Sequence, residues 1–409
     1  MIKLFKENSW QRTLYIMLFA QFVSTMGFSM IFPFFPLYVQ HLGTNTGLSL
    51  EFWAGMVFAV QGATMMVAAP IWGSMADRFG RKLMVERAMF GGAILILWMG
   101  FVSSAEELAL VRAIQGFVTG VVPAANALVA AAAPRERSGY AMGVLQMGLW
   151  SGVAVGPLMG GFMADTWGFR SAFIGTAVLL LFGGILVRVG IKEVFEPKPG
   201  QGNPFAFWGQ WREIISAPGV GLIYTARLLS WLGRTMLVPV LPLFVVTLLP
   251  GSDRISTFTG LVVGLAAATG TASAVYLGRL GDRVGHRQIL VMSAFTAALF
   301  YSLQFFVTEA WHLLLLQALA GAAAGGVMPA ISALLSHYTQ PGQEGAVYGI
   351  DSSVAAAARA VAPMLGAGVA VWIGISGTFI VSGLFFVCAA VMAIRWLPDY
   401  KNTPQPQTA

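Results

Sequence analysis

Five charged side chains lie inside otherwise apolar stretches, and they are the residues of this sequence best suited to chemistry. Asp351 is the carboxylate placed well inside such a stretch, and Arg112, Arg227, Arg234 and Arg359 are the cations. An ionised group away from water is costly unless paired or hydrated, so each is a functional candidate. A buried carboxylate beside a cation can take up and release a proton, because burial favours the neutral acid and the cation favours the anion. Asp351 is the leading proton carrier on that ground. Arg227 and Arg234, seven residues apart, share one helix face. At about 1.5 Å per residue, Arg227 and Asp351 reach a similar shallow depth from one membrane face, while Arg234 and Arg359 reach mid-membrane. Asp351 is expected to pair with Arg227 or Arg234, and Arg359 to face a central cavity or the packed region of the fifth and eleventh spans. Arg112 lies about one and a half turns from the far end of its stretch. It can serve a buried role or extend to the surface.

The elements that must position these groups are membrane helices. Hydrophobic residues make up 57% of the 409 and charged residues only 10%. Apolar runs of about 20 residues match a hydrocarbon layer of about 30 Å. They are too long and too continuously apolar for barrel strands, which leaves helices. Twelve spans are predicted, at 13–40, 51–76, 83–104, 106–131, 139–165, 169–190, 219–247, 257–280, 288–307, 311–337, 343–372 and 376–397. Outside the spans, Lys and Arg gather in alternate loops, with only Arg170 and Arg254 on the other side. That bias places both termini in the cytoplasm. It also explains the net charge of +7 without nucleic acid. The first apolar run lacks a small-residue cleavage site and reads as a retained helix. The lone Cys388 allows no internal disulfide. Neither metal-ligand spacing nor a phosphate-binding loop of Gly, Lys and Ser or Thr occurs, so no metal or ATP hydrolysis is expected. Glu86, Glu106, Glu107 and Asp165 sit at span ends and are expected to be solvated.

The chain is duplicated. Gly73-Ser-Met-Ala-Asp77-Arg78-Phe-Gly80-Arg81-Lys82 returns 205 residues later, from 73 to 278, as Gly278-Arg-Leu-Gly-Asp282-Arg283-Val-Gly285-His286-Arg287. Pro33 and Pro36 return as Pro239 and Pro242, Gly116 and Gly120 as Gly321 and Gly325, and Pro157 and Gly160 as Pro363 and Gly366. Six spans per copy give both copies one orientation, related by a two-fold along the membrane normal. The expected organisation is a first bundle over 1–190, a linker over 191–218 and a second bundle over 219–409. Within the linker, the stretch around Trp208 and Trp211 reads either as a short interfacial helix or as plain connection. The fold class is all-α polytopic membrane protein, with twelve transmembrane helices in two pseudo-symmetric six-helix bundles.

On these motifs the chain resembles the major facilitator superfamily along nearly its whole length, and the twelve-span drug:proton antiporters within it. The resemblance implies a cytoplasmic gate at Gly73, Asp77, Arg78, Gly80 and Arg81, with Asp282 and Arg283 as its repeat. Asp77 would meet the start of span 11 and hold the outward-facing state. Leu110-Val-Arg112-Ala-Ile-Gln115-Gly116 is similar to the signature whose Arg is tied to proton coupling. Gly152, Gly156, Pro157, Gly160 and Gly161 resemble the stretch that marks antiporters. Their spacing strips one helix face of side chains. Spans 1, 4, 7 and 10 would line the cavity, offering Phe28, Phe32, Tyr224, Trp231 and Met236, with Met328 opposite. Span 1 departs from many drug:proton antiporters in having Gln21, Ser24 and Thr25 but no acid.

The expected function is export of amphipathic, drug-like molecules in exchange for protons, by alternating access. The expected chain is a monomer with a small-molecule substrate and a bilayer around it, needing no cofactor beyond the proton gradient and no nucleic acid. Four buried Arg against one Asp support an alternative, export of organic anions or anionic lipid-like molecules without proton coupling. A receptor on the same fold is the third reading, disfavoured by the lack of a long soluble domain.

Overall fold

The structure, a computed structural model, describes residues 10–134, 137–193, 214, 219–338 and 344–397; the side chains at 70, 73, 74, 77, 138, 336–338, 344–346, 348 and 349 are not among those described. The aromatic linker stretch lies outside the described residues except for Ile214. In the first half the helices are α1 (Trp10–Met30), α2 (Phe35–Leu42), α3 (Leu50–Phe79), α4 (Arg81–Met99), α5 (Ala105–Val118), α6 (Val121–Ala132), α7 (Ser138–Trp167) and α8 (Phe169–Gly190). The second half has α9 (Val220–Thr235), α10 (Leu241–Leu248), α11 (Ile255–Val284), α12 (His286–Leu303), α13 (Ala310–Ala324), α14 (Val327–Tyr338), α15 (Glu344–Ile373) and α16 (Gly377–Trp396).

Among the described residues, ten helical segments are long and apolar enough to cross a membrane. Two expected spans fall short for visible reasons. Helix α4 carries Lys82, Glu86 and Arg87, and span 7 is divided, α9 stopping after 16 residues. Division is common to spans 1, 4, 7 and 10, which break between α1 and α2, α5 and α6, α9 and α10, and α13 and α14. Pro36 and Pro242 sit in the first turn of α2 and α10, where the missing N–H costs nothing. Helix starts are capped where the chain leaves a loop: Ser49 and Ser104 accept the amides of Phe52 and Glu107. At the repeated charged turn, Gly80 and Gly285 adopt φ of +98° and +109°, a conformation that side chains oppose. The duplicated turn is thus duplicated backbone.

The face carrying Arg81, Lys82 and Arg287 is called inner below. Lys82 Nζ donates to Arg188 O at 2.9 Å, and Arg287 Nε donates to Ala393 O at 3.0 Å. These are the same tie in both copies, from the charged turn to the end of the last helix of its half.

Within the halves, α1 packs on α7 and α8, α3 on α5, and α4 on α8; α9 packs on α16, α11 on α13, and α12 on α16. Between halves, α7 meets α11 and α3 meets α15, a pair related by the repeat, and α2 touches α10. Glycines set how close these helices come. A Cβ on Gly148 would lie 2.6 Å from Leu18 O, and one on Gly152 would lie 2.7 Å from Phe22 O. Gly156 faces Met26 O and Gly160 faces Met30 O in the same way. Ser29 Oγ donates to Gly152 O at 3.0 Å across this seam. The four-residue glycine face therefore packs on α1, within its own half. Gly161 and Pro157 turn the other way, to Ser256 and Gly260 of α11.

The described close approaches between halves lie in the outer and middle parts of the helices. They join Gly161 to Ser256, Pro157 to Gly260, Ala154 to Gly264, Gly55 to Pro363 and Gly62 to Arg359. Nearer the inner face, Met147 of α7 and Tyr276 of α11 are 65% and 68% exposed. The glycine-mediated seams between halves are thus confined to the outer and middle parts of the helices.

Asp165 contributes to these seams. It was expected to be solvated, yet its carboxylate accepts Ser256 N at 3.2 Å and Thr257 N at 2.6 Å, at the first turn of α11. A carboxylate at a helix N-terminus meets free amides and the positive end of the dipole. Glu106 is likewise engaged, accepting the Thr44 hydroxyl at 2.6 Å and Asn45 N at 2.8 Å. Glu107 accepts Ser103 N at 2.9 Å, and Glu86 pairs with Lys82 at 3.5 Å.

Two predictions follow from this packing. Gly156→Ala drives a methyl into the backbone of α1 and should cost about 1–3 kcal/mol, read as a lower unfolding midpoint in detergent; an unchanged midpoint would show that the seam yields freely. Asp165→Ala removes two charge-assisted bonds and should favour the outward-open state by about 1–2 kcal/mol. Spin-label distances between the outer ends of the halves report it.

Candidate functional site

The site grows from the inner half of α9. Tyr224 OH donates to Val347 O at 3.0 Å, which sets α9 against α15 one turn before the charges meet. Arg227 Nη2 then donates to Asp351 Oδ2 at 2.5 Å, and Nη1 donates to Ser332 Oγ of α14 at 3.3 Å. Of the two Arg candidates for Asp351, Arg227 is the partner. Each lies seven residues into its helix, from Val220 and from Glu344, which is why their depths agree. One guanidinium so ties three helices together.

The pair is not saturated. Arg227 Nε and Asp351 Oδ1 are buried without a hydrogen-bond partner. A carboxylate with one oxygen engaged and the other free is chemically open to a proton. An ion pair in low dielectric pays back its desolvation only with good geometry and full hydrogen bonding. This pair has the first without the second.

Ser332 also lines a cavity of about 350 Å³. Its other walls include Trp150 of α7, Arg234 of α9, Thr271 of α11 and Met328 of α14, so both halves contribute. A polar contact thus links the Arg227–Asp351 pair to the cavity wall. Met328 and Arg234 had been singled out in the sequence; Trp150 and Ser332 had not. Nothing in a single sequence marks a serine in an apolar helix until the fold puts it beside an arginine.

Arg359 lies with its guanidinium carbon 5.8 Å from the Trp231 ring. Among the described residues neither Arg359 nor Arg234 has a carboxylate partner. The backbone of Arg359 is also the surface that Gly62 meets, so its packed contact is with α3 of span 2 rather than with span 5. Trp231 Nε1 is buried without a partner. Arg112 does not reach the surface. It is 2% exposed, donates to Val57 O at 3.3 Å and Gln115 Oε1 at 2.6 Å, and lies 4.9 Å over the Phe35 ring. Its Nη2 has no partner.

Of the aromatic and Met candidates, Tyr224 is buried beside the ion pair. Phe28 and Phe32 pack against the apolar core of the first half. Met236 lines no open cavity: it is 0% exposed and lies in the core of the second half, its backbone against Gly366.

At the charged turn, the side chains of Gly73 and Asp77 lie outside the described ones, while Arg78, Asp282 and Arg283 are exposed. Asp282 reaches His286 at 3.3 Å. The turn does have an anion that sequence reading placed in the linker: Glu193 accepts Arg81 N at 3.1 Å and Lys82 N at 2.8 Å. Helix α4 starts at Gly80, which offers no capping side chain, so a carboxylate from elsewhere satisfies its first amides.

The comparisons with known proteins bear directly on this geometry. The family model of the Major Facilitator Superfamily matches residues 17–249 and 223–409. The chain belongs to the major facilitator superfamily. It is accordingly an integral membrane transporter, not an enzyme. It is 34% identical over 376 residues to the multidrug resistance protein MdtG of Dickeya zeae (strain Ech586), covering 91% of each chain. To the protein of the same name from Enterobacter lignolyticus (strain SCF1) it is 33% identical, covering 94% of this chain and 91% of that one. A bacterial homolog to the human lysosomal transporter Spinster, solved inward-facing and unoccupied, superposes with a TM-score of 0.75 at 15% identity, over 94% of this chain and 96% of that one. That likeness shows the fold.

The superfamily transporter should depend on the ion pair as a unit. Arg227→Asp and Asp351→Arg are each expected to lower transport at least about tenfold and to destabilise the fold by about 3 kcal/mol, since each strands a charge. The double reversal should recover part of both. Equal loss in the double and single variants would show that the two residues act separately.

Proposed function

We propose that this transporter exports amphipathic, drug-like molecules in exchange for protons. The observation that carries the reading is the link through Ser332 between the Arg227–Asp351 pair and the cavity. Substrate in the cavity takes Ser332 from Arg227, which then serves Asp351 alone; a tighter hold by Arg227 lowers the proton affinity of Asp351 and expels its proton. Proton uptake on the carboxylate frees Arg227 in turn, so cargo and proton exclude one another. The name of the relatives, multidrug resistance protein, supports drug-like cargo. A cavity walled by Trp150, Met328 and small residues suits varied apolar bodies.

In this reading the chain sits in the cytoplasmic membrane with the inner face and both termini in the cytoplasm, works as a monomer and does not engage nucleic acid. Residues 1–190 and 219–409 rock as units about the cavity. The outer seams at α7–α11 and α3–α15 open as Asp77 and Arg78 engage the start of α15. Arg112 supports the proton step from the first half, and Arg359 and Arg234 hold positive potential at the cavity. Gly161 and Pro157, with Gly260 opposite, act as the bearing on which the outer seam opens, while the glycine face on α1 keeps the first half stiff.

A second reading rests on Arg234, a cation in the cavity wall, and on Arg359 beside Trp231, neither with a described carboxylate partner. They favour an organic anion as cargo, carried without proton exchange. Proton release from detergent-purified protein on adding matched cationic and anionic amphiphiles separates the two. Release with wild type that is lost in Asp351→Asn establishes antiport and the carrier. Release that persists in the variant moves the proton to another acid, Asp77 or Glu86 first. Tight anion binding with no release makes the second reading correct.

A further inference from the structure

A second cavity, of about 520 Å³, lies between α3, α4 and α6, away from the Asp351 pair. Its walls are largely apolar, with Ala69 and Trp72 from α3 and Pro123 and Ala127 from α6, and its charged groups are Arg81 and Arg87 of α4. Among the described residues no carboxylate lines it. The Arg87 guanidinium carbon stacks 3.4 Å from the centroid of the Trp72 ring. Trp72 is itself held, donating Nε1–H to Phe117 O at 2.6 Å. Stacking leaves the edge of the guanidinium for hydrogen bonding, yet Arg87 Nε and Nη1 are buried without a partner. The neighbouring Glu86 is taken by Lys82.

A buried donor left unpaired is a cost that a protein keeps only for a reason. Holding helices apart is not that reason, because the second half keeps a related opening with no cation at the equivalent position. There, at the repeat offset of 205 residues, Trp72 and Arg87 correspond to Leu277 and Met292, and α11 packs directly against α14. A related opening exists there, lined by Gly270, Ala274, Met328 and Ser332, but the Trp–Arg stack belongs to the first half alone. Depth narrows the ligand further. Arg87 is six residues into α4 from Arg81, about 9 Å from the inner end, where head groups give way to acyl chains. The volume greatly exceeds a small inorganic anion, since a water takes about 30 Å³. An anion attached to an apolar body fills both the charged end and the apolar walls.

We propose that this cavity binds the anionic head of an amphiphile, a phosphate or carboxylate that accepts the Nε–H and Nη1–H of Arg87 with Arg81 as a second cation, while the attached chain lies along Ala69 and Pro123. The site does not rest on the export reading. Two sources share this chemistry, an acidic phospholipid of the surrounding membrane and a single-chain anionic solute.

The test is native mass spectrometry of the full-length protein in mild detergent, titrated with didecanoyl phosphatidylglycerol, didecanoyl phosphatidylcholine and dodecyl phosphate. Wild type is expected to retain one phosphatidylglycerol about tenfold more tightly than Arg87→Met, which installs the residue of the second half. Phosphatidylcholine should bind both proteins equally weakly. Arg87→Lys, keeping the charge but losing the fork and part of the stacking, should fall between them, and thermal unfolding confirms that the variants are folded. Displacement by dodecyl phosphate assigns the site to anionic amphiphiles in general; resistance to it assigns the site to the two-chain lipid. Equal retention by wild type and Arg87→Met, or equal binding of phosphatidylcholine and phosphatidylglycerol by wild type, overturns the proposal. Transport assays play no part, so failure here leaves the export reading standing.

Discussion

Helices in hydrocarbon gain little from burying apolar side chains against one another, because lipid is as apolar as leucine. What holds this molecule in shape is close backbone approach, and glycine permits it. The four glycines of α7 let α1 lie almost in contact with its backbone. Gly161, Gly260 and Gly264 do the same for α7 and α11, and Gly55 and Gly62 for α3 and α15. These seams differ in place. Those within the halves run deep, whereas those between halves stop in the outer and middle parts of the membrane. A molecule packed in that way has stiff halves and one face free to part.

The charges follow from that arrangement. The Arg227–Asp351 pair lies in the inner half of its helices, where the cavity reaches Ser332. Placed in the dry outer seam, the same pair would be locked by desolvation. Asp165 shows the other choice, a carboxylate spent on amides of the opposite half to hold the outer side closed. Arg112 shows a third. It is fully enclosed, satisfied partly by a carbonyl and Gln115 and partly by aromatic faces.

Much of this was legible in the residues because hydrocarbon is so restrictive a solvent. Span length, the duplicated charged turn and the glycine spacing each have one physical meaning in a membrane. Depth counting even brought Arg227 and Asp351 to one level, since helix rise is constant. Less legible were contacts whose partners come from distant segments. Asp165 looked solvated because nothing near it in the chain offers a donor, and Glu193 looked like linker because the amides it caps belong to the start of α4. Met236 looked like cavity wall because its helix lines the cavity, but a break at the end of α9 turns it into the core.

The sequence by itself determined that the chain is a helical membrane protein with internally repeated motifs and with its cations biased to alternate loops. Those features are set by composition and by spacing along a helix, which need no partner. Tertiary structure alone decided which arginine holds Asp351, which way each glycine faces and where the halves meet. Each of these depends on the rotation and approach of helices far apart in the chain. A helix can be read from its own residues, but the neighbour on its bare face is chosen only when all the seams close together.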